Sequence, residues 1–335
     1  MHPTGDVFVR SAVVSLPAGT THVSVAIEAG TVSVQEAENC SSPLLPTTIA
    51  TTDAVELAVE AGKKALVHAG ISAAAVGMIL VAGMTESPSE WKRPARVARL
   101  LGADSSVVLG VRQMSNGGAM AVQLAIAQLR VDPALGTAMV ITADALGADA
   151  PQRWQLGEIG VALGDSGTAL ILSSHGGPLR VLSAASRGYV GHEVGLPDGN
   201  PIGASPVRSP EAVAAGQAHL FQFRTCVSSA VRDAAQQAGI SVDDPRIDLV
   251  VLPRVERRLA EVLMSGVRFR QDVQPRRVHL ASEAGHLFSG DLLGNLEYLL
   301  REGTLSPGRI AMVLSVGSGF AVTCVMVERS AHSSL

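Results

Sequence analysis

The chain has 335 residues, enough for one large domain or two ordinary ones, and its net charge of −4 without lysine- or arginine-rich blocks excludes nucleic acid as a partner. Apolar residues make up 47% and aromatics only 3%, with 34 glycines, a composition suited to helices packed closely on sheets around a sizeable core. No basic segment precedes an apolar leader and no run of about eighteen apolar residues occurs, so a soluble, cytoplasmic protein with no membrane partner is expected.

Strand character begins at Val7–Val14 and recurs at His22–Ile27. The polar stretch from Glu36 to Thr52 reads as a loop forming one wall of a cleft. A helix opens at Thr52–Asp53 and runs to about His68, with Gly70 closing it. Val76–Ala82 is a buried strand by its apolar run, and Pro94–Leu101 a short helix. The apolar Val107–Gly110 leads into Val111–Met120 and a helix through Leu129, and Thr137–Thr142 is another buried strand ending in a turn at Ala143–Asp144. A second series starts near Leu179: a strand at Arg180–Ser183, a long helix from Pro210 to Ala238, a strand at Ile247–Leu252, and helices from Val255 and over Asp291–Arg301. Strands at Arg309–Ser315 and Gly319–Glu328 finish it. Strands alternating with helices give an α/β class. The two series are alike, so two halves are expected, 1–175 and 176–335.

Ser115 stands where a loop becomes a helix whose small and apolar residues (Ala119, Val122, Ala125, Leu129) recur at helical spacing, as in a helix buried on more than one side. Two readings fit: an N-cap satisfying a backbone N–H, or a nucleophile at the positive end of the helix dipole. Gly117-Gly118 is not a dinucleotide fingerprint, since the six-residue glycine pattern is missing. No cluster has metal-ligand spacing. The three cysteines, Cys40, Cys226 and Cys324, are too scattered for a zinc site or a disulfide framework, and Cys324 lies in an apolar run that suits core.

Three segments in order, Gln113-Met-Ser-Asn-Gly-Gly-Ala119, Gly164-Asp-Ser-Gly-Thr-Ala-Leu170 and Val316-Gly-Ser-Gly-Phe-Ala321, resemble the nucleophile segment, a strand lead-in and the glycine-rich oxyanion loop of the thiolase-fold condensing enzymes, specifically ketoacyl-ACP synthase III. The resemblance spans nearly the whole chain. It implies five layers, α-β-α-β-α, built from two similar halves: the first carries Ser115, the second His286, Asp291 and the glycine-rich loop. It also implies a homodimer, no permanently bound cofactor, and acyl-CoA or a phosphopantetheinyl acyl carrier protein as substrate.

The departures from that family carry the chemistry. Serine replaces the nucleophilic cysteine, Arg254 stands where a histidine is expected after the strand Asp248–Leu252, and His286 stands where an asparagine is expected. Decarboxylative condensation needs two donors on the malonyl thioester carbonyl, and this pair does not rebuild them. A serine nucleophile needs a base; His286 supplies one, and Asp291 is placed to orient it, giving a Ser115–His286–Asp291 triad defined by roles. Asp291 also reads as a helix N-cap. The oxyanion hole would be the Ser115 N–H with an N–H from Gly317-Ser318-Gly319, a stretch that read locally is only a tight turn. Arg254 belongs either to a solvated helix face with Arg257 and Arg258, or at a tunnel mouth on a phosphopantetheine phosphate. Family members with a similar His-x4-Asp spacing transfer acyl groups without condensing, and serine-bearing relatives serve antibiotic and polyketide pathways. The expectation is therefore an acyltransferase passing an acyl group through Ser115 to a carrier protein, a sugar hydroxyl or an amine. A priming ketosynthase and a non-catalytic partner subunit remain as alternatives.

Overall fold

A computed structural model describes residues 5–49, 53–85, 90–156, 160–191, 210–318 and 321–331. Ten strands form one sheet: β1 (Val7–Ser15), β2 (Met78–Ala82), β3 (Val107–Val111), β4 (Thr137–Asp144), β5 (Ser166–Ser173), β6 (Leu179–Gly188), β7 (Ile247–Val251), β8 (Arg276–Val278), β9 (Ile310–Gly317) and β10 (Ala321–Arg329). Their spatial order is β8-β7-β9-β10-β6-β1-β5-β4-β2-β3. Each half read from its outer edge inward follows one pattern, third, second, fourth, fifth and first. The halves join where β1 and β6 pair antiparallel over Val7–Val9 and Leu179–Val181 alone, a narrow seam. The expected division at 175/176 falls in the short connection between β5 and β6.

The helices repeat in the same way. α1 (Ala54–Ala69), α2 (Arg93–Leu101) and α3 (Gly117–Val131) follow β1, β2 and β3; α4 (Pro210–Gln237), α5 (Arg257–Met264) and α6 (Asp291–Glu302) follow β6, β7 and β8. Alternate residues of each central strand face different cores, because side chains on a strand point to opposite faces. In β4, Ala138 and Val140 pack with Ala121, Ala125 and Leu129 of α3, whereas Met139 and Ile141 pack with Ala58, Ala61 and Ala65 of α1. In β9, Ala311 and Val313 face Leu296 and Leu299 of α6, whereas Met312 and Leu314 face Val227 and Val231 of α4. The result is α1/α2, sheet, α3/α6, sheet, α4/α5: the five-layered thiolase fold. Strands covered on both sides read as unbroken apolar runs, and β4, β5 and β9 are buried at every position.

Local sequence explains most boundaries. Asp53 caps α1 by accepting the Val55 N–H at 3.0 Å, and Gly70 ends it in the left-handed region at φ 62°. Two expectations need correction. His22–Ile27 is not a strand: a short strand, Gly19–His22, pairs with Leu44–Thr47, and a helix follows over Ser24–Glu28. The Ser24 N–H bonds to the His22 ring at 3.2 Å and turns the chain, and Val23 and Ala26, three residues apart, are the buried pair. The Glu36–Thr52 loop likewise contains a helix, Val34–Glu38, begun by a Ser33/Glu36 capping box, and the strand Leu44–Thr47; residues 50–52 lie outside the described ones.

The two central helices meet at their N-termini. Each is preceded by a single 3-10 turn, Met114–Asn116 before α3 and Phe288–Gly290 before α6. Each turn opens with a non-glycine residue at positive φ, Met114 at 49° and Phe288 at 54°. A Cβ on Gly118 would collide with the Ser289 carbonyl oxygen. Gly118→Ala is therefore expected to lower stability by roughly 1–3 kcal/mol, the usual cost of overpacking, measured as a fall in the urea midpoint against wild type.

Candidate active site

Ser115 sits in the first of those turns, buried, and its hydroxyl caps nothing: Asn116 occupies the N-cap of α3, which has no side-chain cap bond. The Oγ instead lies 2.7 Å from Nε2 of His286 and 3.4 Å from Sδ of Met84. The capping alternative for Ser115 is thereby set aside.

His286 is held from both sides by backbone. Its N–H donates to the Ala162 carbonyl at 2.8 Å, and its carbonyl accepts the Gly164 N–H at 3.0 Å, tying it to the strand lead-in before β5. Gly285, at φ 73°, lets the chain pass close to the Ala162 carbonyl, where a Cβ would collide. The imidazole Nδ1 bonds Oδ2 of Asp291. With an anion at Nδ1, the ring proton sits there and Nε2 is left as the acceptor facing Ser115.

Asp291 is the first residue of α6, but Gly290 holds its N-cap and no side chain caps it. The carboxylate is spent on other donors: Oδ1 accepts the Leu287 N–H at 2.7 Å, and Oδ2 accepts the Arg254 N–H at 3.3 Å besides the His286 ring. Ser115, 171 residues before His286, thus joins His286 and Asp291 in one hydrogen-bonded row, hydroxyl, imidazole and carboxylate, all buried.

The other expected residues are placed as follows. Gly317 ends β9 against the Ser115–Asn116 peptide; a Cβ there would lie 2.5 Å from the Asn116 nitrogen. Ser318 follows in a turn, half-buried, and Gly319 lies outside the described residues. Arg254 departs from both earlier readings. It is 2% exposed, so it belongs to no solvated face, and its guanidinium is committed inside, Nε to Asn295 Oδ1 at 2.9 Å and Nη1 to the Leu280 carbonyl at 3.1 Å. A group so enclosed cannot serve as a phosphate contact at a tunnel mouth. The thiols offer no rival nucleophile: burial pushes Cys40 and Cys324 up to about 12 and also raises Cys226.

Some participants escaped the sequence reading. Met84 reaches Ser115 from the end of β2. Its loop is fixed by Asp144, whose Oδ1 accepts the Met84 and Thr85 N–H groups at 2.6 and 2.7 Å and the Thr85 hydroxyl at 3.0 Å. Ser289 donates to the Met114 carbonyl at 2.9 Å and so braces the turn that carries Ser115. A signal for Ser289 was present: Met114-Ser-Asn-Gly and Phe288-Ser-Gly-Asp occupy the same place in the two halves. Among the described residues no group of three or more His, Cys, Asp or Glu side chains is placed to hold a metal, and no helix is long and apolar enough to cross a membrane.

No family model matches the chain. A beta-ketoacyl-[acyl-carrier-protein] synthase III of Rhizorhabdus wittichii is 26% identical over 269 residues, covering 79% of this chain and 80% of the relative. Among solved structures, ChlB3, described as an acyltransferase, superposes with a TM-score of 0.81 at 25% identity, covering 97% of this chain and 98% of its own. A cysteine-to-serine form of OleA from Xanthomonas campestris, solved with bound lauric acid and lauroyl-CoA, gives a TM-score of 0.76 at 15% identity over 96% of this chain and 99% of its own, a likeness of fold alone. The chain thus has the thiolase fold, and in sequence it is similar to ketoacyl-ACP synthase III.

Asp144 makes a pH dependence testable. Burial pushes its carboxyl up from 3.8 to about 6, outweighing the Thr85 and Met84 hydrogen bonds and the charge of Arg93. The folded chain then holds this proton more tightly than the unfolded one, so this contribution to stability is full below about pH 4, declines to about pH 6 and stays lost above. Relative to Asp144→Asn, wild type is expected to be more stable at about pH 4.5 than at about pH 7, read from urea midpoints at the two values.

Proposed function

We propose that the protein is an acyltransferase that carries its acyl group as an ester on Ser115. The observation that supports this best is the buried row in which His286 Nε2 stands 2.7 Å from the Ser115 oxygen while its Nδ1 is held by Asp291. In this reading His286 takes the Ser115 proton as Oγ attacks the thioester carbonyl. The carbon–sulfur bond breaks, the thiolate leaves with the proton from the imidazolium, and the acyl group remains on Oγ. The acceptor's hydroxyl, amine or thiol then gives its proton to His286 and attacks the ester; the carbon–oxygen bond breaks and Ser115 regains a proton. Asp291 orients the ring and favours the imidazolium. The Ser115 N–H and an N–H of Gly317-Ser318-Gly319 take the oxyanion.

The donor is an acyl-CoA or a phosphopantetheinyl acyl carrier protein, the substrates of ketoacyl-ACP synthase III-like enzymes, which carry no permanent cofactor. Condensation with malonyl-carrier is disfavoured because Arg254, at the family's histidine position, directs its guanidinium to Asn295 and Leu280 rather than to a substrate carbonyl. A non-catalytic partner subunit is disfavoured because a site without chemistry has no use for a base with a buried orienter. The description of ChlB3 as an acyltransferase accords with the same reading.

The chain also acts as a homodimer in this reading. β3 is an outer edge of the sheet, and it leaves Val107 and Leu109 exposed. An apolar edge strand is a site for pairing with another strand, and a second copy offers a matching one. Leu109→Lys is expected to halve the mass seen by analytical ultracentrifugation; an unchanged mass, dimeric or monomeric, would remove β3 from the interface.

Two outcomes test the transfer reading. His286→Ala is expected to slow acylation of the protein by roughly 10²–10⁴-fold, the usual worth of a general base, measured by stopped aliquots in a mass spectrometer. Acylated wild type mixed with malonyl-carrier is expected to release no carbon dioxide; stoichiometric release would make it a ketosynthase instead.

A further inference from the structure

Arg254 is a buried cation without a close side-chain carboxylate. Among the described residues its one side-chain ion pair is long, 3.5 Å to Glu283, and Glu283 is shared with Arg301 at 3.1 Å. Glu297, on the next turns of α6, is drawn off in turn by Arg301 at 3.4 Å. Burying a guanidinium this deeply is costly unless donors and charge are both answered, so its retention beside the site calls for a reason. Two geometric facts supply one. The Arg254 main-chain N–H bonds the Asp291 oxygen that holds His286, and the Arg254 side chain bonds Asn295, one turn along α6 from Asp291. Asn295 in turn donates to the Leu252 carbonyl at 3.0 Å, closing a ring between the exit of β7 and the start of α6.

We propose that Arg254 is a positioning residue: through its N–H and its buried charge it holds Asp291 as a correctly aimed acceptor for His286. The proposal rests on the acyl-transfer reading of the site for its meaning in catalysis, but the geometry it asserts exists in the resting protein. Burial lowers the affinity of Arg254 for its proton, and the charge that opposes this first is Asp291, ahead of Glu283 and Glu297. Of the other charged groups near the row, Asp165 is bonded to Arg153 behind the Gly164 contact to His286, and Asp144 lies behind Met84, its Oδ1 on the Met84 and Thr85 N–H groups. Among the described residues the Arg254 guanidinium bonds Asn295, Leu280 and Glu283 and not Asp291, so the side chain acts on Asp291 by its charge alone.

The test uses the full chain and needs no substrate. A proton shared between a buried imidazole and a carboxylate gives a far-downfield proton resonance; it is assigned to His286 by its loss in His286→Gln. Arg254→Gln, which keeps a donor for Asn295 but not the charge, is expected to abolish that resonance or move it upfield. Arg254→Lys, which keeps the charge, is expected to retain it, and circular dichroism shows that each variant is folded. A folded Arg254→Gln protein with an unchanged resonance overturns the proposal. With an acyl donor in hand, Arg254→Gln is expected to lower kcat for acylation at least tenfold with donor KM unchanged. A raised KM with kcat intact would assign Arg254 to donor binding and overturn it too. Failure of any donor to acylate wild type would sink the transfer reading alone, since the resonance is read without one.

Discussion

The fold depends on the close meeting of two helix N-termini at its centre. α3 and α6 occupy equivalent places in the two halves, and they approach until Gly118 lies against the carbonyl of Ser289. Such contact leaves no room for a side chain and forces the first residue of each turn, Met114 and Phe288, into left-handed backbone. Strain of this kind costs of order 1–3 kcal/mol per residue and persists only where the surroundings fix it. Here the two flanking sheets do so: β4 and β5 on one side and β9 and β10 on the other clamp the helix pair through largely apolar faces, with Thr142 and Thr168 against Gly290 and Thr323 against Asn116. Ser115 and Asp291 stand at the two positive helix ends that this packing brings together, where a developing anion is favoured.

His286 completes the arrangement from between them, and the glycine-rich motifs serve mainly to hold it. Gly164 allows the backbone to pass Ala284, where a Cβ would strike the carbonyl, and Gly167 allows β5 to lie on the backbone of Leu57. Asp165 gathers the N–H groups of Thr48, Leu146 and Gly147 and meets the fully buried Arg153. A buried pair of this kind adds little net stability but is costly to break. Its effect is rigidity in the segment whose Gly164 N–H fixes the His286 backbone.

Much of this was legible in the residues. Most strands of the sheet, the helix bearing Ser115 and the caps of α1 follow from apolar runs and punctuating Asp and Gly, whereas β8, Arg276-Arg277-Val278, has no apolar run and was not expected. Ser115 and His286 were reachable because the resemblance marks the nucleophile and asparagine positions they occupy, and Asp291 because a serine nucleophile then demands a base and the base an orienter. Less legible was anything set by contact across the repeat. The reach of Met84 to Ser115 and the inward turn of Arg254 depend on which backbone lies opposite, which no local pattern encodes, and Ser289 shows only when Met114-Ser-Asn-Gly is set beside Phe288-Ser-Gly-Asp. Short elements failed for another reason: the Ser24–Glu28 helix shows too few residues for period two and period three to be told apart.

The central claim is that Ser115 carries the acyl group, and the most direct measurement is to find it there. Intact-protein mass after incubation with a panel of acyl-CoA and acyl-carrier thioesters, followed by fragmentation of the modified peptide, locates the adduct. The account predicts one acyl group per chain on the peptide containing Ser115, absent in Ser115→Ala. An adduct that survives Ser115→Ala, or that maps to Cys40, Cys226 or Cys324, would contradict it.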